Sequence, residues 1–392
     1  MHSFQYAPDY TLIYMEPFIH LHVHTQYSLL DGQASIDALI DKAYKDGMRA
    51  IAVTDHGVMF GIKEFFNKVS KKNSKPLGII KDSEKELKPL LAKDAPTDEE
   101  QQRITELQKQ IAEAKASIFK PIIGCECYCA RNGRHSKLAS QDDRSGWHLI
   151  VLAKNNGYKN LIKMVSLSWT EGFYGRPRID KELLEKYHED LIICSACLGG
   201  EIPQHIMHGR IDKAEESIKW FKNLFGEDYY LEMQRHETHD PNADCTIFPH
   251  QQEVNKVLIE LAHKYNIKLI ATNDVHFVNA DDAEAHDRLI CLSTGKDLDD
   301  PKRMRYSKQE WMKTTAEMNT IFADIPEALS NTLEIADKIE FYSIDSGPIM
   351  PTFAIPEEFG TEESYRQKLT EHDLFEEFTR DENGNVVLSE EE

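Results

Sequence analysis

The chain has 392 residues, of which 41% are hydrophobic, enough for one large domain of about 250 residues and part of another. A formal net charge of −21 argues against tight unaided binding to nucleic acid, whose affinity comes largely from Lys and Arg on phosphates. There is no apolar run near the ~20 residues of a membrane helix and no basic-then-apolar N-terminus, which predicts a cytoplasmic protein. Seven cysteines, an odd number, fit a reducing compartment.

In chain order, the first predicted strand lies in FIHLHVHTQYSLLDG, residues 18–32, where His20, His22 and His24 occupy alternate positions and Asp31 follows. On a strand such residues share one face, so three imidazoles would aim at one point with a carboxylate beyond. That grouping is costly to bury unless something binds it, and a transition metal is the usual occupant. The next apolar run, MRAIAVTDHG, ends in Asp55 and His56. Residues 74–118 then depart from the strand pattern. They are rich in Glu, Lys, Gln and Ala, with Ile104, Leu107, Ile111 and Ala114 at helical spacing and Thr97 and Glu100 as a capping box. A helical insertion outside the main domain is expected there.

KPIIGCECYCA carries Glu126 inside an apolar run, so Cys125, Cys127 and Cys129 should face the opposite way. WHLIVLAKN opens with His148, LIICSACLGG closes on Cys197, and IKLIATNDVHF carries Asp274 and His276 two apart. Cys194 and Cys197 spell CxxC, but a regular strand would point them to opposite faces, leaving Cys197 as the ligand candidate. Each run is short, rich in β-branched residues, and followed by a turn residue and a helix-like stretch, which is α/β alternation. Candidate ligands recur near the C-terminal ends of strands, where a β/α barrel builds its active site.

The motifs HLHVHT, SLLDG, TDHGVMFG, KPIIGCE, HLIVLAKN, CLGGEI and ATNDVHF occur in that order. Together they resemble the polymerase-and-histidinol-phosphatase (PHP) domain that opens the alpha subunit of bacterial replicative DNA polymerase III. The resemblance covers roughly residues 15–300. It implies a distorted seven-stranded β/α, TIM-like barrel over residues 1–285 with a metal cluster at its mouth. The family's ligands fall on His22, His24, Asp31, His56, Glu126, His148, Cys197, Asp274 and His276, and none is replaced. His20 and Asp55 lie in the motifs without being family ligands and are expected to support or pack. Residues 286–392 match the family's passage into the polymerase core, without the paired aspartates of its palm. They end in a tail with thirteen acids from Glu357 onward against Arg366, Lys368 and Arg380.

The donor chemistry leads the same way. Imidazoles, carboxylates and one thiolate suit Zn, Mn or Fe and are too nitrogen-rich for a dedicated Mg or Ca cage. So many donors exceed one tetrahedral ion, whereas two or three ions sharing Glu126 would use them, and ions about 3.5–4 Å apart hydrolyse phosphate esters. Arg176, Arg178 and His236 could contact a phosphate, although surface solvation is the expected role of each. The expected activity is metal-dependent 3′–5′ exonuclease in proofreading, with DNA and other holoenzyme subunits as partners and no membrane. The alternatives are a free-standing phosphatase of small phosphomonoesters and a metal-stabilised scaffold that docks a proofreading subunit without turnover.

Overall fold

The computed structural model of the protein describes residues 15–138, 144–351, 360–368, 379–385 and 387–388. Its seven strands are β1 (Ala50–Val53), β2 (Lys120–Cys129), β3 (Trp147–Ala153), β4 (Arg178–Ile179), β5 (Leu191–Cys194), β6 (Tyr229–Met233) and β7 (Lys268–Ala271). They form one curled sheet in the order β1-β2-β3-β5-β6-β7, with β4 paired beside β2. The apolar runs become strands buried on both faces, because helices cover the outside while the sheet wraps its own interior.

Residues 18–24 join the two sheet edges. The Ala52 and Thr54 N–H groups donate to the carbonyls of His20 and Val23, and His24 N–H donates to Val275 O at 2.7 Å. This joining segment is extended but is not a regular strand, since the backbone bends at His22. The bend breaks the two-residue alternation predicted for His20, His22 and His24. Ile19 and Leu21 pack with the interior cluster, Phe18 and Val23 pack with the outer one, and His20 turns away to the Lys313 carbonyl at 2.7 Å.

A second departure concerns direction. Strand β3 is antiparallel to both β2 and β5. Its first residues therefore lie at the rim where its neighbours end, and His148 reaches that rim from the start of a strand. The expectation that ligands sit at C-terminal strand ends fails for this residue.

Inside the barrel, Ala50, Ala52, Ile122, Ile150, Ile192 and Ile270 belong to an apolar floor. Further along the same faces the inward positions become Glu126 on β2, beyond Ile122 and Gly124, and Glu232 on β6, beyond Tyr230. Cys125, Cys127 and Cys129 take the alternate positions and pack in the outer cluster. The floor is closed by helix α12 (Glu327–Asp337) and the residue just after it, through Ile335, Ala336 and Ile339. Ile19 N–H donates to Thr332 Oγ1 at 2.9 Å and the Tyr230 hydroxyl to Glu334 at 2.8 Å.

Residues through Ile344 form one compact unit, and Asp345–Glu392 form a second, in which Arg366 pairs with Glu362 within one short helix. The 285/286 boundary falls inside the first unit. No helix among the described residues is long and apolar enough to cross a membrane.

The insertion between β1 and β2 is a helical hairpin, α3 (Ser74–Leu91) and α4 (Asp98–Ala116), with the Thr97–Glu100 capping box at its turn. Ile104, Leu107, Ile111 and Ala114 are its buried stripe, and Arg103 pairs with both Glu86 oxygens at 2.7 and 2.9 Å. Asn73 anchors its base, exchanging hydrogen bonds with the main chain of Phe119 at 2.7 and 3.0 Å. Replacing residues 74–117 with a short Gly/Ser linker while keeping Asn73 should leave bound metal unchanged by elemental analysis. Loss of metal from a folded deletion would show that the hairpin shapes the site.

Candidate metal centre

The backbone turns sharply where it delivers ligands. Leu30 before Asp31, Ala196 before Cys197 and Asp274 itself have φ of 60°, 62° and 48°, a left-handed conformation unfavourable for non-glycine residues. Such strain persists where the surrounding structure imposes it, and it clusters at functional sites.

All nine expected ligands converge at the barrel mouth in overlapping groups. His22, His24 and Glu126 form one, Glu126, His148 and Cys197 a second, and His24, His56 and His276 a third, with donor atoms in each group within 4.8 Å of one another. Asp274 Oδ1 lies 3.1 Å from His22 Nε2 and 3.3 Å from His24 Nε2, and Asp31 Oδ2 lies 3.0 Å from His56 Nε2. Glu126 is the hub. Its Oε1 is 2.7 Å from His148 Nδ1 and 3.9 Å from Cys197 Sγ, and its Oε2 faces His56 and His24.

The outer ring nitrogens are already committed. His22 Nδ1 donates to Glu232 Oε1 at 2.7 Å, His276 Nδ1 to the Asp274 carbonyl at 2.8 Å, and His24 Nδ1 to Ser28 Oγ at 3.0 Å. Ser28 Oγ can accept because its own proton goes to Asp55 Oδ1 at 2.8 Å, and Asp55 also accepts from Thr25 N–H at 2.7 Å. Neutral rings fixed this way turn Nε2 lone pairs toward carboxylate oxygens. Acceptor then faces acceptor, an arrangement that requires a cation between them.

The nitrogens His22 Nε2, His24 Nε2 and both of His56 are buried without a hydrogen-bond partner, as are Glu126 Oε2 and Asp274 Oδ1. Orphaned donors of this kind fit divalent ions and would otherwise be costly.

Without ions, protons must take that place. Burial opposes charge on Glu126, yet the His148 and His56 imidazoles hold its carboxyl well below the usual range. Burial likewise opposes protonation of His22, but Asp274 and Glu232 outweigh it and raise the ring's pKa well above the ordinary value. Burial pushes the Cys197 thiol up, and a coordinated ion would strip its proton.

Several contributors escape the sequence patterns. Glu232 in YYLEM carries the same signal as Glu126, an acid inside an apolar strand, and is bonded to His22. Tyr306 has no local signal, although its hydroxyl donates to Asp31 Oδ1 at 2.8 Å and lies 3.4 Å from His276 Nε2. His286 Nε2 is 3.9 Å from the same Asp31 oxygen.

The three phosphate-contact candidates separate. Arg178 is fully buried and donates to the carbonyls of Gly172, Arg134 and Ser136, so it is neither a phosphate contact nor solvated surface. His236 is buried against the Asn273 carbonyl at 3.2 Å. Arg176 lines a cleft of about 440 Å³ together with Arg144, Tyr128, Asp31, His56 and His148.

A β/α fold whose rim gathers imidazoles, carboxylates and a thiol defines the class, and a family comparison agrees. The PHP domain model matches residues 20–101 and 95–236, so the chain belongs to the PHP domain family. Among particular proteins, it is 41% identical over 356 residues to DNA polymerase III subunit alpha of Borreliella burgdorferi, covering 90% of this chain and 26% of that protein. The same subunit from Treponema pallidum is 34% identical over 377 residues (95% and 27%). That from Thermus aquaticus is 35% identical over 365 residues (90% and 25%). The chain thus spans about a quarter of the length of these relatives.

Proposed function

We propose that this chain is the N-terminal PHP region of a bacterial DNA polymerase III alpha subunit, and that its centre is a phosphoesterase removing nucleotides from 3′ ends of DNA in proofreading. The observation that carries this reading is the sharing of Glu126 among imidazole and thiol donors, with the inward nitrogens of His22, His24 and His56 buried without a partner. Two or three ions of Zn, Mn or Fe would be held by His22, His24, Asp31, His56, Glu126, His148, Cys197, Asp274 and His276. When bound, such ions lower the pKa of a water and neutralise phosphate charge. Glu232 fixes the His22 ring, Tyr306 orients Asp31, and Arg144 and Arg176 offer guanidinium N–H groups to a phosphate in the cleft. Residues 1–285 would be the phosphoesterase part and 286–392 the opening of the polymerase part, in a cytoplasmic protein whose partners are DNA and other holoenzyme subunits.

The test is release of nucleotide from a 3′-mismatched primer, with metal content measured on the same sample. Mn- or Zn-stimulated release, with no primer extension when deoxynucleotides are added, is expected. Hydrolysis of p-nitrophenyl phosphate without nucleotide release would favour a small-molecule phosphatase. Inertness toward both in a fully loaded sample would favour a scaffold.

A further inference from the structure

The rim of the cleft carries apolar side chains that neither the barrel core nor the metal centre uses. Trp169, in the last turn of helix α5 (Gly157–Thr170), and Phe173, in the loop after it, are 43% and 47% exposed. They are nonetheless ordered against each other, with ring centroids 5.4 Å apart and planes within 16°. Phe60 and Leu29 are 61% and 68% exposed on loops that follow or precede the ligands His56 and Asp31, and Leu30, held at positive φ beside Asp31, is also exposed.

This step is tied to the metal centre. The Trp169 indole N–H donates to the carbonyl of Gly57, next to His56, at 2.9 Å. A Cβ at Gly57 would come within 2.7 Å of Pro177 and 3.2 Å of Tyr128, so the two loops are in close contact. The loop bearing Phe173 continues to Arg176, whose guanidinium lies 5.3 Å from the centre of the Tyr128 ring. That ring stacks on His56 at 6.2 Å. Arg144 stands in the same cleft wall, over Tyr174 at 5.3 Å. An acidic chain has thus placed two arginines in the wall of the cleft beside its metal donors, one of them on the loop that carries the exposed Phe173.

We infer that this rim binds the unpaired end of a single nucleic-acid strand, with bases on the Trp169–Phe173 step and phosphates against Arg144 and Arg176. The inference rests on the phosphodiesterase reading above and names how its substrate is selected. Unpaired bases offer free π-faces to aromatic side chains, whereas bases inside a duplex are already stacked. A protein partner would also cover apolar rings, but the arginine wall and the continuity of the step with the cleft favour a polyanion that enters the site.

The experiment measures binding to the whole 392-residue chain, loaded with Mn, by fluorescence anisotropy. The probe is a labelled oligothymidylate whose 3′-terminal linkages are phosphorothioates, so that turnover is not needed. Trp169→Ala combined with Phe173→Ala should weaken binding roughly tenfold or more, and Arg176→Ala should weaken it and flatten its salt dependence. Leu91→Ser, on the exposed end of the α3–α4 hairpin, should change nothing. A blunt duplex of equal length should bind more weakly than the single strand. Unchanged affinity in the Trp169/Phe173 variant with a full metal complement, or equal affinity for duplex, would overturn the inference and leave the step to a protein partner. A wild-type chain that hydrolyses p-nitrophenyl phosphate but does not bind the oligonucleotide would overturn it while leaving phosphoesterase chemistry intact.

Discussion

Exchanging Glu126 for Gln should reduce nucleotide release at least about 100-fold and lower the bound metal, with the barrel still folded. Loss of residues that merely orient metal ligands costs about 10–100-fold, and Glu126 is itself a shared donor. Its two oxygens face His148, His22, Cys197, His24 and His56, so the amide removes one negative charge and turns N–H groups toward ring nitrogens at several donors together. Its backbone N–H stays bonded to the carbonyls of Thr54 and Asp55, at 3.1 and 3.2 Å, which protects the pairing of β2. Elemental analysis, far-ultraviolet circular dichroism and a nuclease assay on one preparation check the expectation. Full metal content with release within tenfold of wild type would remove Glu126 from its central place.

Chelation should lower the melting temperature of the first compact unit by about 10 °C. An ion bound only to the native state at about 1,000 times its dissociation constant adds roughly 4 kcal/mol, and each kcal/mol moves the midpoint of a domain of about 150–250 residues by about 2–4 °C, the low end of which suits this larger unit when more than one ion is removed. The pH dependence has a definite sign. In the ion-free chain the pKa values of His22 and His56 are raised, by Asp274 and Glu232 and by Tyr128 and Glu126 respectively, despite burial. Their contribution to stability is complete below about pH 6.5, the unfolded value, and is lost as pH rises through the higher folded values. Asp31 and Glu126, depressed against the opposing effect of burial by neighbouring imidazoles, contribute above about pH 4 and lose that contribution only in acid. The gap between loaded and chelated melting points should therefore widen from pH 6.5 to 8.5. A constant or shrinking gap in differential scanning calorimetry would contradict the proton-for-metal account.

The metal donors were legible because imidazoles and carboxylates inside apolar runs are costly without partners, and those runs are short enough to read as strands. What stayed hidden depends on geometry that periodicity does not encode. Alternation has no direction, so WHLIVLA reads the same whether β3 runs parallel or antiparallel. The bend at His22 turns His20 off the face that strict alternation gives it, into the packing position that the resemblance implied. Arg178 looked like surface because Arg usually is, yet carbonyls from two loops satisfy it in the interior. Tyr306 and α12 act on the barrel from far along the chain, which no local pattern reports. Glu232 differs, since an acid inside the apolar run YYLEM carries the same sequence signal as Glu126.

The junction between the first segment and the barrel floor also has a consequence in time. Ile19 is held by Thr332, 313 residues later. At synthesis rates of about 5–20 residues per second, roughly 15 to 60 seconds separate the emergence of those two partners. During that interval the histidine-bearing segment and the open sheet interior lack their last covering helix. Nascent chains should therefore stay protease-sensitive and dependent on chaperone shielding until residues near 339 have left the ribosome, so this N-terminal barrel becomes complete late in its own translation.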